Sequence, residues 1–349
     1  MKNFIKKNFR IFAWMTIGLL PLLMHGCASV NESQTTKTAA VNQCVLIDTD
    51  YDIDDMMAIP LVIGHKHVAA IVTSEGYTKP ELGAAALSRL IAEPNQRHIP
   101  VIIGASTHLD EKKIVTDWGQ FVLQYRSLMN RNNNFTVSAM PPSAHQLDYK
   151  KQVVQAVSNC KSVDVLIIGT FSSFVHYSPL IESKINQVVI MGKALEGDTT
   201  QRPGNFSFNC EYDMPACKKA FYEQLPKYKY VYVDVPRSTC DSTPNQQGCK
   251  GTVYGPTLGM VKKLDAEGLP NTLKQVLLGY TNSWNLDTWP NKVYGGKTLL
   301  WDQTAALYMV YPEIFKKLGG PKGHFSPAVS PEELRAKWTE ATNQAKTYK

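Results

Sequence analysis

The chain has 349 residues, 44% of them hydrophobic, with 37 Lys and Arg against 30 Asp and Glu. Residues 1–27 hold four basic side chains (Lys2, Lys6, Lys7, Arg10) and no acidic one, so the remainder carries 33 basic against 30 acidic groups, net +3. With no basic stripe interleaved with aromatics, that balance argues against a nucleic-acid partner.

Taken in chain order, the basic start is followed by the short apolar run "IFAWMTIGLLPLLM" and then "HGCAS". This is the pattern of an export signal, too short for a comfortable membrane span. "LLMHGC" resembles a bacterial lipoprotein signal, with Cys27 as the lipidated residue and a membrane anchor as the consequence. His25 before Gly-Cys is unusual in such signals and leaves plain secretion open. Residues 28–42, small and polar, read as a flexible tether, and 43–349 as one domain. Six further cysteines in an exported chain permit disulfides. Cys240–Cys249, flanking a turn-rich loop, is the first choice of pair and Cys210–Cys217 the second. Neither has zinc-type spacing.

Apolar runs of buried-strand type recur at "CVLID", "VAAIVTS", "IPVIIG", "VDVLIIGT", "INQVVIMG" and "KYVYVDV". Helical patterns lie at 54–64, 80–93, 150–158, 172–182 and 214–224. This alternation predicts an α/β fold, an open and mostly parallel sheet flanked by helices. The active site is then expected at the carboxyl ends of the strands, where Asp48, Asp50, Thr170 and Gly192 fall. Residues 251–300 read as a helix and a long loop, either a lid or a surface excursion. The tail 331–349 reads as a solvated helix.

The segment "VLIDTDYDIDDMMAI" places Asp48, Asp50, Asp52, Asp54 and Asp55 within eight residues after a strand. Capping of the next helix explains one or two of them. Four converging carboxylates need a counter-charge, and oxygen-only ligands suit Ca²⁺ best, Mg²⁺ less well. The paired His65 and His67 read as a surface feature.

"DTDYDIDD" resembles the DTDPGxDD fingerprint of the nucleoside hydrolase family. "IPVIIGAS", "VLIIGTFSSF", "INQVVIMGK", "NFSFNCEYDMPACKKAF" and "WDQTAALYMVYPEIF" resemble further family segments in the family's order, over roughly residues 43–316. The resemblance implies hydrolysis of the N-glycosidic bond of ribonucleosides, with a small-molecule nucleoside as partner; a homo-oligomer is left open. It implies Asp50, Asp55, Thr170 (through its carbonyl) and Asp302 as calcium ligands, with Asp50 also the base toward water. Asp48 becomes a supporting carboxylate behind them. Asp54 and Asn209 match residues that hold the ribose diol, and Asn205 matches, across a gap, one that contacts the 5′-hydroxyl. Trp301 stands where purine-preferring relatives stack an indole on the base; Trp118 aligns loosely with a second such Trp.

Departures are also visible. Tyr51-Asp52 replaces Pro-Gly, putting a ring and a charge beside the expected metal. Tyr77 stands in place of a sugar-contacting Asn, and Ser207 in place of a Glu. They motivate an alternative, an envelope lipoprotein that binds a nucleoside or sugar without cleaving it. A second alternative is a haloacid-dehalogenase-type phosphatase, which shares a DxD strand end but gains nothing from Asp55 or Trp301-Asp302.

Overall fold

The computed structural model describes residues 41–52, 54–92, 95–107, 148–192, 195, 207–235, 252–257, 260, 263–264, 300–318 and 323–349. Trp118, Asn205, Cys27, the Cys240–Cys249 pair and most of 251–300 therefore lie outside the described residues.

Eight strands form one sheet in the order β3-β2-β1-β4-β5-β6-β8-β7. They are β1 (Val41–Thr49), β2 (Val68–Thr73), β3 (Val101–Ile103), β4 (Cys160–Ile167), β5 (Ile185–Met191), β6 (Lys229–Val233), β7 (Phe315–Lys317) and β8 (His324–Pro327). All neighbours run parallel except β7 against β8. The apolar runs needed for strands covered on both faces are why β1, β2 and β4 were legible. The short pair β7–β8, "FKK" and "HFSP", carries no such run and was not foreseen.

Alternation along β1 divides the core. Val45 and Ile47 face one layer, formed by α1 (Asp55–His65), α2 (Pro80–Leu90) and two later helices, α7 (Asp302–Val310) and α8 (Pro331–Gln344). Cys44 and Leu46 face the other, formed by α3 (Tyr149–Ala156), α4 (Phe174–Tyr177) and α6 (Met214–Lys219), with α5 (Phe208–Tyr212) preceding α6. Helix α1 is buried from Asp55 to Gly64, so its apolar residues surround it rather than forming one stripe.

The expected helix over 172–182 is broken into α4 and 3₁₀ turns at 178–180 and 182–184, with Pro179 in the first of them. That over 214–224 stops at Lys219 and continues as one wide turn. The solvated reading of the tail is corrected. A capping box between Ser330 and Glu333 starts α8, and Leu334, Trp338 and Ala341 are buried, with Trp338 Nε1 donating to Met57 O at 2.9 Å.

Disulfides join Cys44 to Cys160 and Cys210 to Cys217. The first, between β1 and β4 with Cα atoms 5.8 Å apart, was not foreseen because its cysteines are 116 residues apart. Closing so long a loop restricts the unfolded chain by about 2–4 kcal/mol. The double variant Cys44→Ser/Cys160→Ser is expected to melt roughly 3–6 °C lower by calorimetry. An unchanged Tm would remove the bridge from the stability account.

Candidate active site

The chain leaves β1 for β2 and β3 on one side, then returns to β4 on the other. The β1–β4 junction is therefore the point where strand order reverses, and the crevice outside its carboxyl ends is where open α/β sheets bind ligands. Asp48 and Asp50 end β1, while Gly169 and Thr170 follow β4. Gly169 has no room for a side chain, since a Cβ there would lie 2.4 Å from Asp50 N.

Two helix N-termini meet at this crevice. Asp54 and Asp55 begin α1, Asp302 begins α7, and one carboxylate oxygen from each lies within 4.8 Å of the others. Asp54 Oδ2 accepts from the backbone N–H groups of Trp301 (2.9 Å) and Asp302 (3.3 Å), so it caps the neighbouring helix and fixes Asp302. Asp55 accepts the Thr49 hydroxyl and, at 2.7 Å, the Asp52 N–H. Both N-termini turn their amide dipoles toward negative charge.

Helix dipoles do not neutralise this cluster. Burial raises the Asp50 carboxyl to about 7; repulsion from Asp54 adds to this, and the Tyr77 amide opposes it. Asp48 rises to about 7, chiefly by burial, against the Ser74 hydroxyl bond of 2.5 Å. Asp54 is raised by burial; Asp55 is raised well above the usual carboxylate range by burial and then by the charges of Asp50 and Asp54, and Asp302 likewise by burial and then by those of Asp54 and Asp55. Asp302 Oδ1, fully buried, has no hydrogen-bond partner among the described residues. An orphaned oxygen within an all-carboxylate donor set fits a hard divalent cation.

The remaining expected site residues fall as follows. Thr170 is buried beside Asp50, with its hydroxyl on Glu75 O at 2.8 Å. Asn209 is buried at the start of α5, donating to Ile168 O at 2.7 Å. Trp301 precedes α7 and is half-buried. Tyr51 is buried, 1% exposed, and packs in the core layer that holds α1. Its backbone takes φ +52, a conformation closed to the Pro that the fingerprint has at this position. Tyr77 donates its backbone N–H to Asp50 Oδ2 at 2.9 Å and stacks its ring on Phe208 with centroids 4.0 Å apart.

Two groups escaped the sequence reading. Ser74 and Ser173 bond one another at 2.7 Å and link Asp48 to Ala105 N–H, which donates to Ser173 Oγ at 2.8 Å. Glu75 is buried between Ser74 and Gly76. The acidic residue in "TSEGYT", directly after a strand, was the available signal.

Carboxylates gathered at the switch point of an open parallel sheet form a site suited to a cation and a polar small molecule. The comparisons narrow the class. The profile of the inosine-uridine preferring nucleoside hydrolases matches residues 45–344, and the chain belongs to that family, whose members are N-glycosyl hydrolases. Solved structures share the fold. An inosine-uridine preferring nucleoside hydrolase from Bacillus anthracis (14% identity, TM-score 0.51) is covered completely by 87% of this chain. A purine-preferring ribonucleoside hydrolase from Gardnerella vaginalis (17%, TM-score 0.55) is covered over 99% of its length by 87% of the chain. An inosine-guanosine nucleoside hydrolase (16%, TM-score 0.54) is covered completely by 88%. No curated protein matches the chain significantly by sequence.

Proposed function

We propose that this chain is a calcium-dependent N-ribohydrolase that releases the base from purine ribonucleosides outside the cytoplasm, as a lipoprotein anchored at Cys27. The observation that carries the reading is the convergence of Asp54, Asp55 and Asp302 on one buried point beside Asp50. The export signal and the two disulfides support the location. Purine preference rests on Trp301 and is consistent with two structural neighbours, a purine-preferring and an inosine-guanosine hydrolase.

Asp50, Asp55, Asp302 and the Thr170 carbonyl would hold the cation. When bound, it neutralises the carboxylates, helps fix the ribose diol and makes water easier to deprotonate. Asp50 takes the proton from the attacking water, general-base help worth about 10²–10⁴-fold. Asp54 and Asn209 accept and donate to the diol, holding C1′ in line for attack. Cleavage builds positive charge on the sugar, and fixed carboxylates in a dry crevice favour that charge without reorganising. Trp301 presents its indole to the leaving base.

Trp301→Ala is expected to slow purine nucleosides about ten-fold, the scale of a lost aromatic contact. Nucleosides with an activated leaving group should slow less. Steady-state kinetics on both classes checks this, and equal losses would remove the stacking role. Free base released from a nucleoside panel with Ca²⁺ tests the activity itself; ligand uptake by calorimetry without release would overturn it.

A further inference from the structure

We propose that Glu75 is a positioning residue that holds Asp50 in its working orientation, acting through the backbone of Gly76 and Tyr77. The inference rests on Asp50 being the base of the reaction proposed above. Glu75 is 5% exposed, near the start of the loop that leaves β2. Its Oε2 accepts the Ser106 hydroxyl and, at 2.8 Å, the Thr107 N–H. Its Oε1 accepts the Tyr212 hydroxyl at 3.0 Å. Its backbone N–H donates to Ala105 O at 3.0 Å, and its backbone O accepts from Thr170 Oγ1 at 2.8 Å. One residue thus ties the loop after β2 to those after β3 and β4 and to α5.

The two residues that follow touch Asp50. A Cβ on Gly76 would lie 2.1 Å from Asp50 Oδ2, so only glycine allows the backbone this approach. Tyr77 N–H then donates to the same oxygen at 2.9 Å. Ser74 N–H on Thr49 O at 2.8 Å and Thr78 Oγ1 on Tyr51 O at 3.0 Å anchor the loop at either end, and the contacts of Glu75 hold its middle, where the 76–77 backbone presses on Asp50. Thr170, itself beside the carboxylates, is bound to Glu75 O, so the same residue joins both edges of the β1–β4 crevice.

The chemistry of the bonds separates a geometric role from an electrostatic one. Ser106, Thr107 and Tyr212 all present donors, which a two-oxygen acceptor satisfies. Glutamine can do nearly the same: its Oε1 accepts from Ser106 and Thr107, and its Nε2 donates to the Tyr212 oxygen. Alanine can make none of these bonds. If Glu75 works by position, glutamine rescues it; if by charge, glutamine fails as alanine does.

The experiment compares wild type, Glu75→Gln, Glu75→Ala and Gly76→Ala in the full chain. The readouts are kcat and KM for base release and the Tyr77 backbone amide resonance in ¹⁵N-tyrosine-labelled protein, assigned by its loss in Tyr77→Phe. Glu75→Ala is expected to lower kcat by about 10²-fold, the scale of an ångström's misplacement, with KM nearly unchanged. Its Tyr77 amide should move upfield as the bond to Asp50 lengthens, while Glu75→Gln keeps both the resonance and the turnover. Wild-type behaviour in Glu75→Ala overturns the proposal, and so does equal damage in Glu75→Gln. If Glu75→Ala does not fold, Gly76→Ala decides, because it drives the loop off Asp50 with every Glu75 bond available; full kcat there overturns the proposal. Should wild type release no base from any nucleoside, the proposed function fails, and the amide comparison still decides what Glu75 holds.

Discussion

Asp50→Asn is expected to lower kcat by about 10²–10⁴-fold, the contribution of a positioned general base. Asparagine keeps the acceptor for the Tyr77 N–H, so the loop over 75–77 stays in place while the proton acceptor is lost. The same substitution should stabilise the cation-free protein at neutral and higher pH. A buried carboxyl raised from 3.8 to about 7 destabilises the folded state by on the order of 4 kcal/mol once fully ionised, and the amide carries no such charge. Activity lost with Tm gained is the pattern of a site whose charges serve the reaction rather than the fold. Turnover assays and calorimetry in chelator read both quantities; wild-type turnover in Asp50→Asn would contradict the assigned role.

The second large effect concerns the cation and pH. In the cation-free protein Asp48 and Asp50 stand near 7, with Asp54, Asp55 and Asp302 also raised. A carboxyl raised on folding contributes stability that is fully present below its unfolded value and lost as pH climbs through its folded one. Cation-free stability should therefore decline from about pH 4 to beyond pH 7. A cation reverses the sign, because it binds the ionised cluster and competes with protons. At a hundred times its Kd, Ca²⁺ adds about 2.7 kcal/mol, or roughly 4 °C in Tm for a domain of this size. That gain is expected at pH 8 and should largely vanish at pH 4.5, where the carboxyls hold protons. Asp302→Asn should abolish most of it, and chelation should abolish base release. Equal Ca²⁺ gains at both pH values would refute a carboxylate site.

The sheet was legible because its central strands are buried on both faces and must be apolar throughout. β1, β2 and β4 to β6 announced themselves in this way, and so did α1. What escaped has a physical reason in each case. The tail helix α8 carries its burial in a few wide-spaced residues, and Trp338 finds its partner at Met57, 281 positions away. Cys44 and Cys160 are joined only by strand order, which local spacing does not encode. At the site, the carboxylates of β1 and α1 could be read because they adjoin a strand end in one run. Asp302 was tied to them by resemblance alone, and the structure adds the reason: Asp54 caps its helix. The positive φ of Tyr51 was not legible, because sequence adjacency to Asp50 says nothing of backbone conformation. Glu75 was overlooked because its role comes from the loops around it rather than from its neighbours in the chain.

The central claim is that Asp55 and Asp302, 247 positions apart, share one divalent ion with Asp50. Anomalous diffraction from crystals grown with excess Ca²⁺ tests it most directly. The account predicts one strong peak about 2.3–2.6 Å from oxygens of all three side chains, absent in Asp302→Asn. No peak at that position, or one held by other residues, would contradict it.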